Sequence, residues 1–527
     1  MLPKPSVAVK ISQKALDWAL RHLTRFGDTV FLPKAFEYEA ITADWTRVSK
    51  WLGSQDMREW IPRPYRRLLA LKTQGSFRYV TQLDPLEHLA FAGLMYSLGR
   101  ELETLRVPTS KRIVFSWRFG PQPDGTMYDQ HFRWKEFNLR CRELALRRST
   151  KFVVMADIAD FFPHLYLHPL ERTLERCVTT LKQAYCVLQL LKGWNARVSY
   201  GVPVGPPSGR ILAETTLANL DEALIGGGAS YSRYSDDFRI FCRTESEARF
   251  RLQFLAEQLF ELYGLTLQAV KTRIIESGEY LERFTLSADR LEAESLEERF
   301  GQLLEDAGWE SEYDEEIDYD SLPEDTKHEI EKLNLAEVFR EQLKKDRYDP
   351  VIMSLLLQRL GQLDHDDVVD DVMMNIAKLE PVVDAVVRFL SALRSLSVAR
   401  RRKIGQSILR LVTDKRASRY QIACLLSIFT HGREFDNEGR FERAFEQVQA
   451  EGKRELMLAL ARARKGHWFV ARRRDAAGLA PWLKRAFLAG ASCMASDVKE
   501  AFFKTEERTG DVLEQAVIRW ARAKPLG

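Results

Sequence analysis

Two short stretches hold acidic residues whose type and spacing could do chemistry. In "KFVVMADIADFFPHL" an apolar run ends on Asp157, with Asp160 three residues later. In "SYSRYSDDFRIFCR", Ser230 to Arg243, Asp236 and Asp237 stand together between Tyr231 and Tyr234 on one side and Phe238, Ile240 and Phe241 on the other. A carboxylate at the end of a buried strand costs free energy unless an ion or a partner compensates it. Magnesium prefers such hard oxygen ligands, and a pair of divalent ions is the usual device for in-line phosphoryl transfer. An adjacent aspartate pair is a weak signal by itself. Asp366-Asp367 and Asp370-Asp371 in "LDHDDVVDD" fall within a helical pattern and read as a solvated face or a helix start.

The elements around the acids set the first pair apart. "KFVVMADI" has strand composition, and the residues flanking Asp236 and Asp237 read as the two arms of a β-hairpin. Between them "GVPVGPPSGRILAETTLANL" gives a glycine- and proline-rich loop, an N-cap at Ser208 and a helix. After the hairpin come a helix, "SEARFRLQFLAEQLFELYG", and a strand-like piece, "LTLQAVKTRI". Upstream, "LKTQGSFRYV" reads as strand and turn, and an amphipathic helix begins near Pro85. This alternation predicts an α+β domain over 71–290, after an N-terminal extension over 1–70. The segment 291–332 is acidic and reads as a solvated linker. From 333 to 527 short amphipathic helices follow one another, predicting an α-solenoid of HEAT-like type, with an irregular bundle as the alternative.

Composition narrows the class further. The 527 residues are 45% hydrophobic and 29% charged, as in ordinary globular proteins, and the length fits about three domains. Net charge is only +4, but residues 291–330 hold 16 acidic and two basic residues, leaving +18 on the remainder. That excess fits a polyanionic partner such as nucleic acid. Six cysteines lie far apart without C-x-x-C spacing, which points to buried thiols in a reducing compartment. No signal-like or membrane-spanning run is seen, so a cytoplasmic protein is expected.

A strand ending on aspartate, a glycine loop leading into a helix, and a Y-x-D-D hairpin resemble, in that order, motifs A, B and C of reverse transcriptases. "YGLTLQAVKTRI", with Gly264 and Lys271, resembles their next motif. The resemblance implies a fingers–palm polymerase fold and two magnesium ions, with manganese as a substitute. Asp157 and Asp236 would bridge the ions, with Asp237 supporting them and the backbone carbonyl of Ile158 adding an oxygen. Tyr234 and Ser235 would complete the hairpin motif. For nucleotide binding it implies Asp160, whose backbone would lie beside the triphosphate. Phe162 would be a steric gate against a 2′-hydroxyl, and Gly205 the motif B glycine. Lys72, Arg78 and Lys271 would face the phosphates. Ordinary surface positions are the alternative for those three cations, and a core ring for Phe162.

Templated enzymes of this kind usually carry glutamine before the motif B glycine, where this chain has Val204. "GPPSGRILAE" is similar to the pattern of bacterial antiphage enzymes, and no thumb follows the palm in recognisable form. Together these features resemble the abortive-infection reverse transcriptases of the AbiK-like, prophage-borne group. That resemblance implies dNTP substrates, template-independent DNA synthesis primed from a protein hydroxyl, a product covalently attached to protein, homo-oligomerisation and antiphage defence in the bacterial cytoplasm. A conventional templated RNA-directed DNA polymerase of retron or intron type is the alternative. A non-catalytic interaction protein comes third.

Overall fold

The computed structural model describes residues 2–29, 31–73, 76–195, 198–284, 323–414, 416–431, 434–524 and 526. Most of the acidic segment, up to residue 322, lies outside them. Strands β1 (Arg66–Thr73) and β2 (Ser76–Gln82) form an antiparallel hairpin. Strands β3 (Phe152–Asp157), β4 (Tyr231–Tyr234), β5 (Asp237–Cys242) and β6 (Arg273–Glu276) form an antiparallel sheet in the order β4-β5-β3-β6.

Both faces of this sheet are covered, which explains the unbroken apolar run of β3. Val154 and Ala156 enter a large core with the helix Pro85–Leu105, whereas Val153 and Met155 join a smaller cluster around Trp134 and Phe137. The Pro85–Leu105 helix starts where its sequence directs, with Asp84 accepting from the Leu86 N–H and proline at the first position. Two local expectations change. The motif B helix begins at Pro207, so Ser208 is a buried first-turn residue and not the cap. Proline's fixed φ suits that first turn, and it moves the start forward. The strand expected in "LTLQAVKTRI" is confined to Arg273–Glu276. The chain before it turns, because the Gln268 and Ala159 N–H groups bond across to Asp157 and Thr266 carbonyls.

Residues from Glu324 onward are helical. The helices Pro350–Gln362, Val383–Ala392, Arg419–Leu426, Ala450–Arg462, Pro481–Gly490 and Val512–Ala523 stack in sequence, each on the next. Helices such as Leu335–Lys344, Val398–Thr413, Glu438–Gln447 and Ser496–Thr509 lie against them as a second row. The core of this array also takes in Leu68, Ala70 and Val80 from the β1–β2 hairpin. The hairpin is therefore shared: one face belongs to the array, and the other faces the sheet's carboxylates across a cleft.

Candidate active site

The chemistry-bearing residues converge because β3 and β5 are paired in register. Asp157 lies directly across the ladder from Asp237, and the Ile158 N–H donates to the Asp236 carbonyl at 3.1 Å. Asp236 itself occupies the turn between β4 and β5. Ser235, just before it, sits in the left-handed region at φ 54°.

A buried network holds that turn. Ser235 donates its N–H to Ser116 Oγ at 2.7 Å, and its carbonyl accepts from Arg233 at 3.0 Å. Ser116 in turn donates to Glu214. Arg233 is fully buried and pairs with Glu214 at 2.8 Å and Asp221 at 2.7 Å. Burial raises the Glu214 carboxyl, but the charges of Arg233 and Arg106 more than offset it and hold the group below its ordinary range. Strand β4 is thereby tied to the motif B helix, and the backbone of the Tyr-Ser-Asp-Asp turn is fixed from behind.

Asp157 and Asp236 line one cleft of about 740 Å³. Burial, then repulsion from Asp157, raises the Asp236 carboxyl well above the usual carboxylate range. Lys271 Nζ approaches Asp157 Oδ2 at 3.4 Å. Asp237 behaves differently from a third member of a carboxylate cluster. It forms an ion pair with Arg239, two residues along the same strand, and does not line the cleft. Tyr234 packs edge-on against Trp134 and Trp117, as a brace for the hairpin.

The same cleft gathers Ile158, Asp160, Phe162, Gly205, Lys72, Arg78 and Lys271. Phe162 packs against Trp117, ring centroids 5.8 Å apart, and against Phe161. Gly205 has φ +129°, and a Cβ there would stand 2.5 Å from the Thr81 carbonyl. Only glycine fits that approach, which lets Thr81 donate to the Val204 carbonyl at 2.8 Å and joins β2 to the motif B loop. Val204 also lines the cleft.

Residues not anticipated from sequence complete the wall. Arg67 and Arg210 add positive charge, with Arg210 over the Trp117 ring at 5.1 Å. A signal existed for Arg210, which follows the glycine–proline loop within the first helical turn. Trp117, held at φ 40° in "FSWRFG", belongs to no periodic pattern and had none.

Metal ions implied by this kind of site can be tested against the donors present. Among the described residues no three His, Cys, Asp or Glu side chains converge on one point. Two carboxylates, Asp157 and Asp236, share the cleft with Ile158, their mutual repulsion relieved on one side by Lys271. That set suits a hard divalent cation sharing its remaining positions with substrate oxygens and water.

Residues 97–284 match the family model described as reverse transcriptase (RNA-dependent DNA polymerase). They form a reverse transcriptase domain, and the chain is an enzyme of the reverse transcriptase and DNA polymerase type, a nucleotidyltransferase. Among solved structures, the chain is similar to telomerase from Candida albicans, solved in complex with a fragment of telomeric RNA. Identity there is 13% and the TM-score 0.30, over 81% of this chain and 71% of that one. No curated protein sequence matches the chain. Among the described residues no helix is long and apolar enough to cross a membrane.

Proposed function

We propose that the chain joins deoxynucleotides without copying a template, starting from a protein hydroxyl, as an antiphage enzyme of the abortive-infection class. The observation that carries the polymerase part is the convergence of Asp157 and Asp236 with Lys72, Arg78 and Lys271 in one cleft. Asp157, Asp236 and the Ile158 carbonyl would hold the divalent ions. Bound magnesium would supply charge neutralisation at the α-phosphate and lower the cost of exposing a 3′ oxygen as nucleophile. That oxygen, or the protein hydroxyl in the first addition, gives up its proton to solvent and forms the new bond to the α-phosphorus as the bond to the leaving pyrophosphate breaks. Lys72 and Arg78 on the hairpin hold the triphosphate against the cleft wall, and Lys271 offsets charge beside Asp157. Phe162, fixed by Trp117 and Phe161, crowds the 2′ position and favours deoxynucleotides.

Val204 supports the untemplated part. Its aliphatic side chain has neither a donor nor an acceptor to brace a template strand at the glycine loop. The helical array supports membership of the same group: its two rows of stacked helices are compatible with a HEAT-like domain, and it comes after the palm in the chain. Homo-oligomerisation belongs to the same proposal.

One assay separates the alternatives. Pure protein is incubated with magnesium and each dNTP, without template or primer, and the product is run on denaturing gels with and without protease. DNA that migrates freely only after proteolysis is the expected result. Synthesis that requires an annealed template would overturn the untemplated reading, and no incorporation under any condition would favour a non-catalytic protein. Asp236→Ala should abolish incorporation with the fold intact.

A further inference from the structure

We propose that the cleft-facing side of the β1–β2 hairpin is a stacking platform for the bases of an unpaired nucleic-acid strand. In the hairpin register Leu69 faces Tyr79 and Leu71 faces Phe77, while Arg67 faces Thr81. The alternate residues Leu68, Ala70 and Val80 are buried in the helical array. A strand pair with one face so covered would ordinarily turn polar side chains to the other. Here the opposite face carries Phe77 at 54% exposure, Tyr79 at 57% and Leu69 at 43%. Among the described residues neither aromatic ring packs on another aromatic ring. Exposed aromatic side chains grouped this way mark a binding surface more often than a fold requirement.

Phe77, Tyr79, Thr81 and Arg67 line the same cleft as Asp157 and Asp236. Residues two apart on a strand are separated by about 7 Å, and stacked bases by about 3.4 Å, so one base fits between the two rings. The run from Ser76 to Thr81 extends about 17 Å, more than a single nucleotide fills. Arg67, on the same face as the two rings, and Arg210, lining the same cleft, place positive charge where a strand's phosphates would pass, apart from the cations assigned to the triphosphate. Aromatic faces interleaved with cations fit an unpaired strand, and every base offers the same π-face, so sequence is not discriminated. A duplex offers no such faces, because its bases are already stacked on each other.

The platform rests on the polymerase reading of the cleft, but its test needs no synthesis. Binding of a fluorescein-labelled oligothymidylate of roughly 12 nucleotides is followed by anisotropy, without dNTPs or magnesium. Phe77→Ala and Tyr79→Ala should each weaken binding about 5- to 150-fold, whereas Tyr79→Trp retains it. Tyr79→Lys should also bind more weakly, despite its added charge. Affinity for a blunt duplex of the same length should not respond to Tyr79→Ala. Unchanged strand affinity in both alanine variants would overturn the platform, as would equal losses for strand and duplex, or tighter binding by Tyr79→Lys. Thermal unfolding midpoints of the variants should match the parent, since both rings are more than half exposed. Strand binding that follows this pattern in a protein that incorporates no nucleotide would retain the platform and reject the polymerase reading alone.

Discussion

In the proposed metal-binding role, Asp236 would take up a cation in competition with a proton. Its carboxyl is raised by burial and by Asp157, so the metal-free group holds a proton into a range where an ordinary aspartate is ionised. A divalent ion needs the carboxylate and must displace that proton. The apparent magnesium affinity should therefore rise as pH increases from about 6 to about 8, by up to tenfold per unit, and then level off. Magnesium titrations of incorporation at three pH values test this, and a pH-independent half-saturation would count against it. Phe162 gives a second residue-scale prediction. Because Trp117 and Phe161 fix its ring, Phe162→Ala should lower discrimination against ribonucleotides by about 10- to 100-fold in competition assays. Unaltered discrimination would return Phe162 to the role of a core ring.

Between elements, the decisive contacts run behind the hairpin. Removing the Arg233 guanidinium leaves Asp221 buried without its cation and Glu214 with Arg106 alone, so Arg233→Met should destabilise the fold by about 3–5 kcal/mol in denaturant titrations. Ser116→Ala is gentler. It strands the Ser235 N–H and should lower kcat more than it raises KM, because the Asp236 turn loosens while Glu214 keeps Arg233 and Arg106. Equal effects on both constants would argue that Ser116 is merely packing. This network also marks the limit of what the sequence could reveal. Asp157 and Asp236 were legible because apolar runs end on them, and because hairpin strands place their residues by simple alternation. Arg233 offered a clue, as a cation in an otherwise strand-like run, but its partners did not. Ser116 lies 119 residues from Ser235, and nothing local pairs them. The same holds for Asp237, whose charge is taken up by Arg239 two residues along the strand. At Pro207 and Gln268 the errors were ones of boundary, where a proline start and a hydrogen bond to the Asp157 carbonyl overrode composition.

The whole molecule depends on a joint that composition could not have indicated. Glu37, in the helix Glu37–Ala43, is fully buried between Arg454 at 2.6 Å and Arg485 at 3.0 Å. Arg485 also meets Asp84, and Arg63 links Asp84 to Asp511. Trp482 donates to the Pro64 carbonyl, and Arg66 at the start of β1 pairs with Glu455. These contacts, with Leu68, Ala70 and Val80, bolt the hairpin to the helical array. Lys72, Arg78, Phe77 and Tyr79 are thus presented to the cleft by a wall that is already in place. Burial raises the Glu37 carboxyl, but the two arginines more than compensate, so it is charged and both cations depend on it. Glu37→Gln keeps the shape and removes the carboxylate that two buried guanidinium groups share, leaving Arg485 with Asp84 and Arg454 with Glu455, at a cost of about 3–5 kcal/mol. Loosening should reach the hairpin first, so amide hydrogen exchange should accelerate in β1 and β2 while β3 and β5 keep their protection. The cleft carboxylates Asp157 and Asp236 would be undisturbed, so KM for nucleotide should rise more than kcat falls. Unchanged exchange in the hairpin would mean that the array does not hold it. A fall in kcat with unchanged KM would place the joint's influence on the sheet instead.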